Sequence, residues 1–188
     1  YDRATSLIHQ QTSELQNQGV VVEQHVQTNA TLINDEWCDC FERNDIVVGV
    51  SVDGPEDIHN SHRRFRNGKG SHGMTMRGIR KLRERNIPIH AITVLTADAL
   101  DQPERMYAFF RDEDILHVGF NVEEQEGVNL SSSMQGEEKE QRYRAFLAKF
   151  WSCNQRDGFP VKVREFEQVM GMIAGGQRLR QNEMNRPY

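Results

Sequence analysis

The chain has 188 residues, 37% of them hydrophobic and 27% charged, with a mean hydropathy of −0.73 and a net charge of −5. This length suits one domain, or one domain with an appendage, of a soluble globular protein. The acidic balance excludes a general nucleic-acid binder, which needs a basic footprint, and no apolar run approaches the ~20 residues of a membrane span.

Tyr1 to Gln18 reads as a polar helix ended by Gly19. It contains no apolar secretory signal. The chain lacks an initiating Met and opens inside this helix, so it reads as a piece of a longer protein. Val20 to Val26 is expected as a strand. Asn34 is placed to cap a helix over Asp35 to Asn44, with acidic residues in the first turn favoured by the dipole. Ile46 to Val52 is β-branched except at Gly49 and Ser51, which suits a strand buried on both faces of a parallel sheet. Asp53-Gly54-Pro55 ends it. A long polar connection is expected from Glu56 to Ser71. Met76, Ile79 and Leu82 mark a basic helix that stops at Asn86, before Pro88. Ile89 to Thr96 is a third strand. Asp101-Gln102-Pro103-Glu104 starts a helix with Asp101 as acidic cap, and Met106, Phe109 and Phe110 form its buried stripe. His117 to Val122 is a fourth strand.

Strands separated by helices imply right-handed crossovers and parallel pairing. All four strands end in polar residues, so one rim of the sheet gathers the chemistry, as α/β folds require. Gly127 to Glu138 is a turn-rich linker. Tyr143, Phe146, Leu147, Phe150 and Trp151 then lie on one face of a helix, and Phe166, Val169, Met170 and Ile173 repeat the pattern in a shorter one. The last dozen residues look frayed. The domain boundary is expected near residue 126.

Several constellations can be read two ways. Gln27-Thr28-Asn29 suits either a polar ligand or its own backbone. Ser51 and Asp53 suit a ribose or amino-acid head group, or simply a strand-ending turn. Arg63, Arg64 and Arg66 can clamp a carboxylate or lie in solvent. Glu123 and Glu124 straddle a strand end, so only one enters the rim, as a base, a substrate contact or a solvated terminus. His59 and His62 lack a third metal ligand. Three cysteines, an odd and low number, fit free thiols in a reducing, cytoplasmic setting. Cys38 and Cys40 are two apart on a helix and face differently, a poor metal clip. Cys40 is expected in the core with Trp37 and Phe41, and Cys38 at the periphery.

The ordered series Gln27-Thr28-Asn29, Ser51-Val52-Asp53-Gly54-Pro55, His59-x-x-x-Arg63 and Gly68-Lys69-Gly70-Ser71 resembles the middle of radical S-adenosylmethionine (radical SAM) enzymes. It is most similar to the anaerobic sulfatase-maturase-like group with a SPASM domain. The resemblance runs from about Tyr1 to Glu124. Phe120-Asn121-Val122-Glu123-Glu124 and Val163-Arg164-Glu165-Phe166-Glu167 look more like the branch that crosslinks ribosomally made peptides (RiPPs), including cyclophane-forming and GRRM-type maturases.

The resemblance implies a partial (β/α)6 barrel, here truncated to about four parallel strands. It implies S-adenosylmethionine and a 4Fe–4S cluster, an electron donor such as a flavodoxin or ferredoxin, and a precursor peptide or protein as substrate. It implies hydrogen abstraction by a 5′-deoxyadenosyl radical. By position, Ser51 matches a serine contacting the cofactor, and Arg63 an arginine on its methionine carboxylate. Asn29 belongs to a T-N-G element near the ribose, with Ala30 in the glycine's place. Val118 lies near the position whose backbone touches the adenine. Asp53 and Glu123 are candidate substrate contacts. The family's C-x-x-x-C-x-x-C and G-G-E-P elements are absent, so cluster ligands are expected outside this chain, and a bare sheet edge is expected to promote association. The rival reading is a non-catalytic relative that binds a peptide or partner protein.

Overall fold

The computed structural model describes residues 2–20, 22–123 and 136–175. It divides into two compact units, one of residues 1–50 and 74–89, the other of residues 51–73 and 90–188. Strand order follows the chain in one sheet, β1-β2-β3-β4-β5, and every registered pair is parallel. The strands are β1 Gln24–Thr28, β2 Ile46–Ser51, β3 Ile89–Leu95, β4 His117–Val122 and β5 Lys162–Val163. The fifth strand adds to the four expected. It has only two residues, too few to show a period of two in the sequence.

In the first unit, α1 covers Asp2–Asn17 and α2 Asp35–Arg43. Asn34 caps α2 as expected, its Oδ1 accepting from the Trp37 amide at 3.0 Å. Both thiols of α2 are buried, including Cys38, expected at the periphery; its thiol pKa is raised by that burial. Trp37 is the residue left outside, 36% exposed. Strand β1 begins later than Val20, because the Val20 to Val22 run lies before the parallel ladder that starts at Gln24↔Ile46.

The helix α4, His72–Glu84, buries Thr75, Met76, Gly78, Ile79 and Leu82. A Cβ on Gly78 would stand 2.1 Å from the Ala30 carbonyl oxygen, so only glycine admits this approach. Each of the three connections leading into β2, β3 and β4 carries a short polar residue in the left-handed region: Asp45 (φ 49°), Asn86 (φ 55°) and Asp114 (φ 53°). Asn and Asp tolerate that conformation by local hydrogen bonding, which lets a helix stop and a strand start within a few residues.

In the second unit, Glu56–His62 forms a helix, α3, where a polar connection was expected. Four residues, Ala97–Leu100, make the short α5, and α6 is Pro103–Asp112. Gln102, not Asp101, occupies the N-cap of α6 and makes no side-chain cap; Pro103 lies in its first turn. Helix α7 spans Gly136–Arg156 and α8 Arg164–Gly175. The core here is aromatic. Phe110, Phe120, Phe146 and Phe150 pack with ring centroids 5.2 to 6.5 Å apart, and Tyr107 meets Phe150 edge-on at 5.4 Å. The Tyr107 hydroxyl donates to Asp157 at 2.9 Å, the polar outlet such a buried ring needs. On α8 the expected core stripe is largely outside: Val169, Met170 and Ile173 are exposed, while Phe166 packs on Trp151 at 4.9 Å. The expected linker at 127–138 lies mainly, and the expected frayed end wholly, outside the described residues.

Beyond the two residues that pair with β5, the edge of β4 is not bare. Glu165 accepts from the Phe120 amide at 3.1 Å, and Arg164 Nη2 donates to the Phe120 carbonyl at 2.8 Å. Side chains thus occupy the rungs a neighbouring strand would use on β4, while β1 forms the other edge of the sheet.

Gly78→Ala is expected to destabilise the protein by about 1–3 kcal/mol, because neither backbone can yield to the added methyl. Urea denaturation of the variant checks this; an unchanged midpoint would show that the α4 contact relaxes freely.

Candidate functional site

Strand β2 ends at Ser51, which is 6% exposed, and the chain continues through Val52, Asp53 and Gly54. This extension is fastened to β3. Val52 N–H donates to Ile92 at 3.2 Å, Thr93 Oγ1 donates to the Val52 carbonyl at 2.7 Å, and Val94 N–H donates to Asp53 Oδ1 at 2.9 Å. Gly54 then turns with φ 105°, where any Cβ would strike Met106. Pro55 leads into α3, whose buried residues are Ile58 and His59.

Residues 63–71 form a small hairpin. Arg64 bridges Gly70 antiparallel, and Phe65 N–H donates to Lys69 at 2.8 Å. The three arginines considered together part company here. Arg64 donates to the Gly68 carbonyl and Arg66 is exposed. Arg63 folds back to grip Asp53: its Nε donates to Oδ2 and its Nη2 to Oδ1 at 3.1 Å. Asp53 is 4% exposed and both its oxygens are engaged by the chain itself. That leaves it to hold Arg63 rather than to meet a substrate. Arg63 Nη1 makes no hydrogen bond among the described residues, and the side chain is 29% exposed. The fork therefore offers one free corner of fixed orientation.

His59, fully buried, joins this arrangement. Its Nδ1 accepts from the Asp53 amide at 3.2 Å, and its Nε2 lies 2.9 Å from Ser71 Oγ, which donates to the Arg63 carbonyl at 3.1 Å. An amide can only donate, so the proton is assigned to Nε2. Burial holds the imidazole neutral and lowers its pKa to about 4; the Asp53 carboxylate opposes this, and His72 and Arg63 reinforce it. His62 is exposed and shares nothing with His59. No group of three His, Cys, Asp or Glu among the described residues could hold a metal ion.

Two further strand ends carry polar groups. Thr96, at the carboxyl end of β3, is 4% exposed, and its Oγ1 has no hydrogen-bond partner among the described residues. An unpartnered buried hydroxyl costs on the order of 1–3 kcal/mol. At the end of β4, Glu123 N–H donates to Leu95 at 3.1 Å and its carbonyl accepts from Lys139 at 2.7 Å; Glu124 lies outside the described residues. Val118 sits at the opposite end of β4, four residues before Val122 and about 13 Å from the rim. It is paired with Ala91 on one side and Val163 on the other.

Asn29 belongs to the first unit. Its Oδ1 accepts from Thr31 N–H at 3.2 Å and Thr31 Oγ1 at 2.9 Å, and its carbonyl accepts from Thr75 Oγ1 at 2.9 Å. Its Nδ2 makes no hydrogen bond among the described residues, and the side chain is exposed. Ala30 has φ 57°, the conformation expected for the glycine it replaces. The Thr28 hydroxyl, accepting from the Ala30 amide at 3.1 Å, helps to hold it.

Sequence reasoning named Arg63 and Asp53 but not the bond between them, and it weighed His59 as a metal ligand and as part of a motif without giving it a role. The one available signal was the His59-x-x-x-Arg63 spacing, a single helical turn.

A parallel α/β sheet with a polar carboxyl rim is the architecture of radical SAM enzymes, and residues 4–110 match the radical SAM superfamily. The chain belongs to that superfamily. It is 44% identical over 162 residues to an uncharacterised protein of Synechocystis, covering 86% of this chain and 41% of that protein. It is 34% identical over 126 residues to a serine-type anaerobic sulfatase-maturating enzyme of Bacteroides thetaiotaomicron, covering 64% of this chain and 30% of the enzyme. The fold is shared with anSMEcpe, solved with bound AdoMet and Kp18Cys peptide, at TM-score 0.75 and 23% identity over 92% of this chain and 50% of that one. This chain thus spans half or less of the length of these relatives. No helix among the described residues is long and apolar enough to cross a membrane.

A pH dependence follows from His59. Its folded pKa, about 4, lies below the ordinary 6.5, so the unfolded chain takes up a proton that the folded one refuses. Stability is therefore full above pH 6.5 and falls as pH drops toward 4. Thermal melts of the wild type and His59→Gln across that window are expected to converge as pH falls; parallel curves would remove His59 as the cause.

Proposed function

We propose that this chain is part of a radical SAM maturase that modifies a peptide or protein side chain. Membership of the superfamily and similarity to sulfatase-maturating enzymes support this reading. The observation that carries it is the anchored Arg63, two of whose nitrogens are fixed on Asp53 while Nη1 remains to receive a carboxylate. S-adenosylmethionine carries such a carboxylate. On reductive cleavage it supplies a hydrogen-abstracting radical.

This chain's own residues have narrower tasks. Arg63 holds the carboxylate, Asp53 holds Arg63, and Ser51 and Thr96 supply hydroxyls at neighbouring strand ends. The orphaned Thr96 hydroxyl fits a polar ligand there. Asn29 enters on its motif alone, with an amide nitrogen to give. Val118 is not retained, because its place on β4 is remote from the rim. Glu123 remains the candidate contact to substrate.

A 4Fe–4S cluster does not fit the described residues: Cys38 and Cys40 are buried on one helix and Cys153 is buried on another. Its ligands are assigned outside this chain, and no step is derived through it. The wider proposal comprises a SPASM-type domain, a flavodoxin or ferredoxin as electron donor, a ribosomally made precursor peptide as substrate, and a cytoplasmic setting. One rival is a non-catalytic relative that binds a peptide or partner protein, which a full-length gene without the cluster cysteines would favour. Anaerobic reconstitution of the full-length gene product with iron and sulfide separates the two, since only the enzyme releases 5′-deoxyadenosine.

Arg63→Lys keeps the charge but cannot hold Asp53 and a ligand together. Its affinity for S-adenosylmethionine is expected to fall about 10- to 30-fold in equilibrium dialysis of the full-length product, the effect of one lost charge-assisted hydrogen bond. Wild-type affinity would remove Arg63 from the cofactor.

A further inference from the structure

We propose that His59 is a positioning residue for cofactor recognition, acting through Arg63 by way of the Asp53 turn and Ser71. This rests on the reading that Arg63 receives the cofactor's carboxylate. The argument is geometric. Arg63 reaches its ligand only if two backbone segments are held in register: the turn carrying Asp53 and the hairpin arm carrying residues 63 and 71. One imidazole spans both. Nδ1 takes the Asp53 amide, and Nε2–H takes Ser71 Oγ, whose own proton goes to the Arg63 carbonyl. The Ser71 amide donates to that same carbonyl at 3.3 Å, and the Arg63 amide donates back to the His59 carbonyl at 2.9 Å. The backbone of Arg63 is thus fixed by His59 and Ser71, while its guanidinium is fixed by Asp53.

The imidazole is held in turn. It is fully buried, and the His72 ring meets it edge-on at 5.4 Å. The charged groups facing it are Asp53 and Arg63, opposite in sign and paired with each other. No other side chain reproduces an acceptor and a donor at the two ends of a flat ring of this length.

The test compares two ligands, S-adenosylmethionine and methylthioadenosine. The second keeps the nucleoside and sulfur but has no carboxylate. Binding is measured by equilibrium dialysis on the full-length gene product. His59→Phe keeps the ring and loses both hydrogen bonds. It is expected to weaken S-adenosylmethionine about 10-fold, leave methylthioadenosine unchanged, and add nothing to Arg63→Lys in the double variant. Ser71→Ala breaks the link from the other side and is expected to show the same selectivity; it decides the matter if His59→Phe does not fold. Equal weakening of both ligands, or losses that add to those of Arg63→Lys, would overturn the proposal and make His59 merely structural. Arg63→Lys binding S-adenosylmethionine normally would instead overturn the assignment of Arg63, a separate failure.

Discussion

The ion pair between Asp53 and Arg63 is the constraint on which the second unit's strand end depends. Asp53 is nearly inaccessible, and an unpaired carboxylate there would be forced to neutralise or to open the structure. Arg63 supplies the counter-charge and the Val94 amide a further donor, so the carboxylate is compensated on both oxygens. For a wholly buried pair, loss of one partner costs about 3–5 kcal/mol; with Arg63 29% exposed the cost here is smaller. The same pair fixes a guanidinium in one orientation. Stability and a guanidinium of fixed orientation are two results of one contact.

The first unit meets its constraint differently. The turn after β1 stores strain in Ala30, where a methyl replaces the hydrogen that glycine would carry. Three hydroxyls offset this. Thr28 receives the Ala30 amide, Thr31 binds Asn29 Oδ1, and Thr75 reaches the Asn29 carbonyl from α4. Gly78 completes the fit by having no side chain where the Ala30 carbonyl enters. The strain persists because its neighbours leave the loop no alternative.

Much of the fold was legible because long β-branched or amphipathic runs leave a period in the sequence. Strand β2 is of this kind, while the cap at Asn34 was legible from residue type and place. What was missed has physical reasons. Helix α3 contains one buried apolar residue, Ile58, and its second buried position is a histidine, so no stripe marks it. Strand β1 is an edge strand of alternating exposure, and its polar half hid it behind the stronger Val20 to Val22 run. The exposure of Val169, Met170 and Ile173 depends on what packs against α8, which periodicity cannot report. At the site, the residue types were visible but their pairing was not. Nothing in the sequence says which carboxylate Arg63 meets; the turn at Gly54 sets Asp53 against it. Residue chemistry made Asn29, Ser51 and Arg63 candidates, and the family resemblance gave them their expected cofactor roles.

Gly119, midway along β4, has a consequence far from any ligand. A Cβ there would stand 3.0 Å from the Arg164 guanidinium carbon, so the group that donates to the Phe120 carbonyl would have to give by a few tenths of an ångström. Arg164 is one of the two side chains that fill rungs on which a foreign chain could otherwise add. The guard on that edge thus packs against the one residue in β4 that has no side chain.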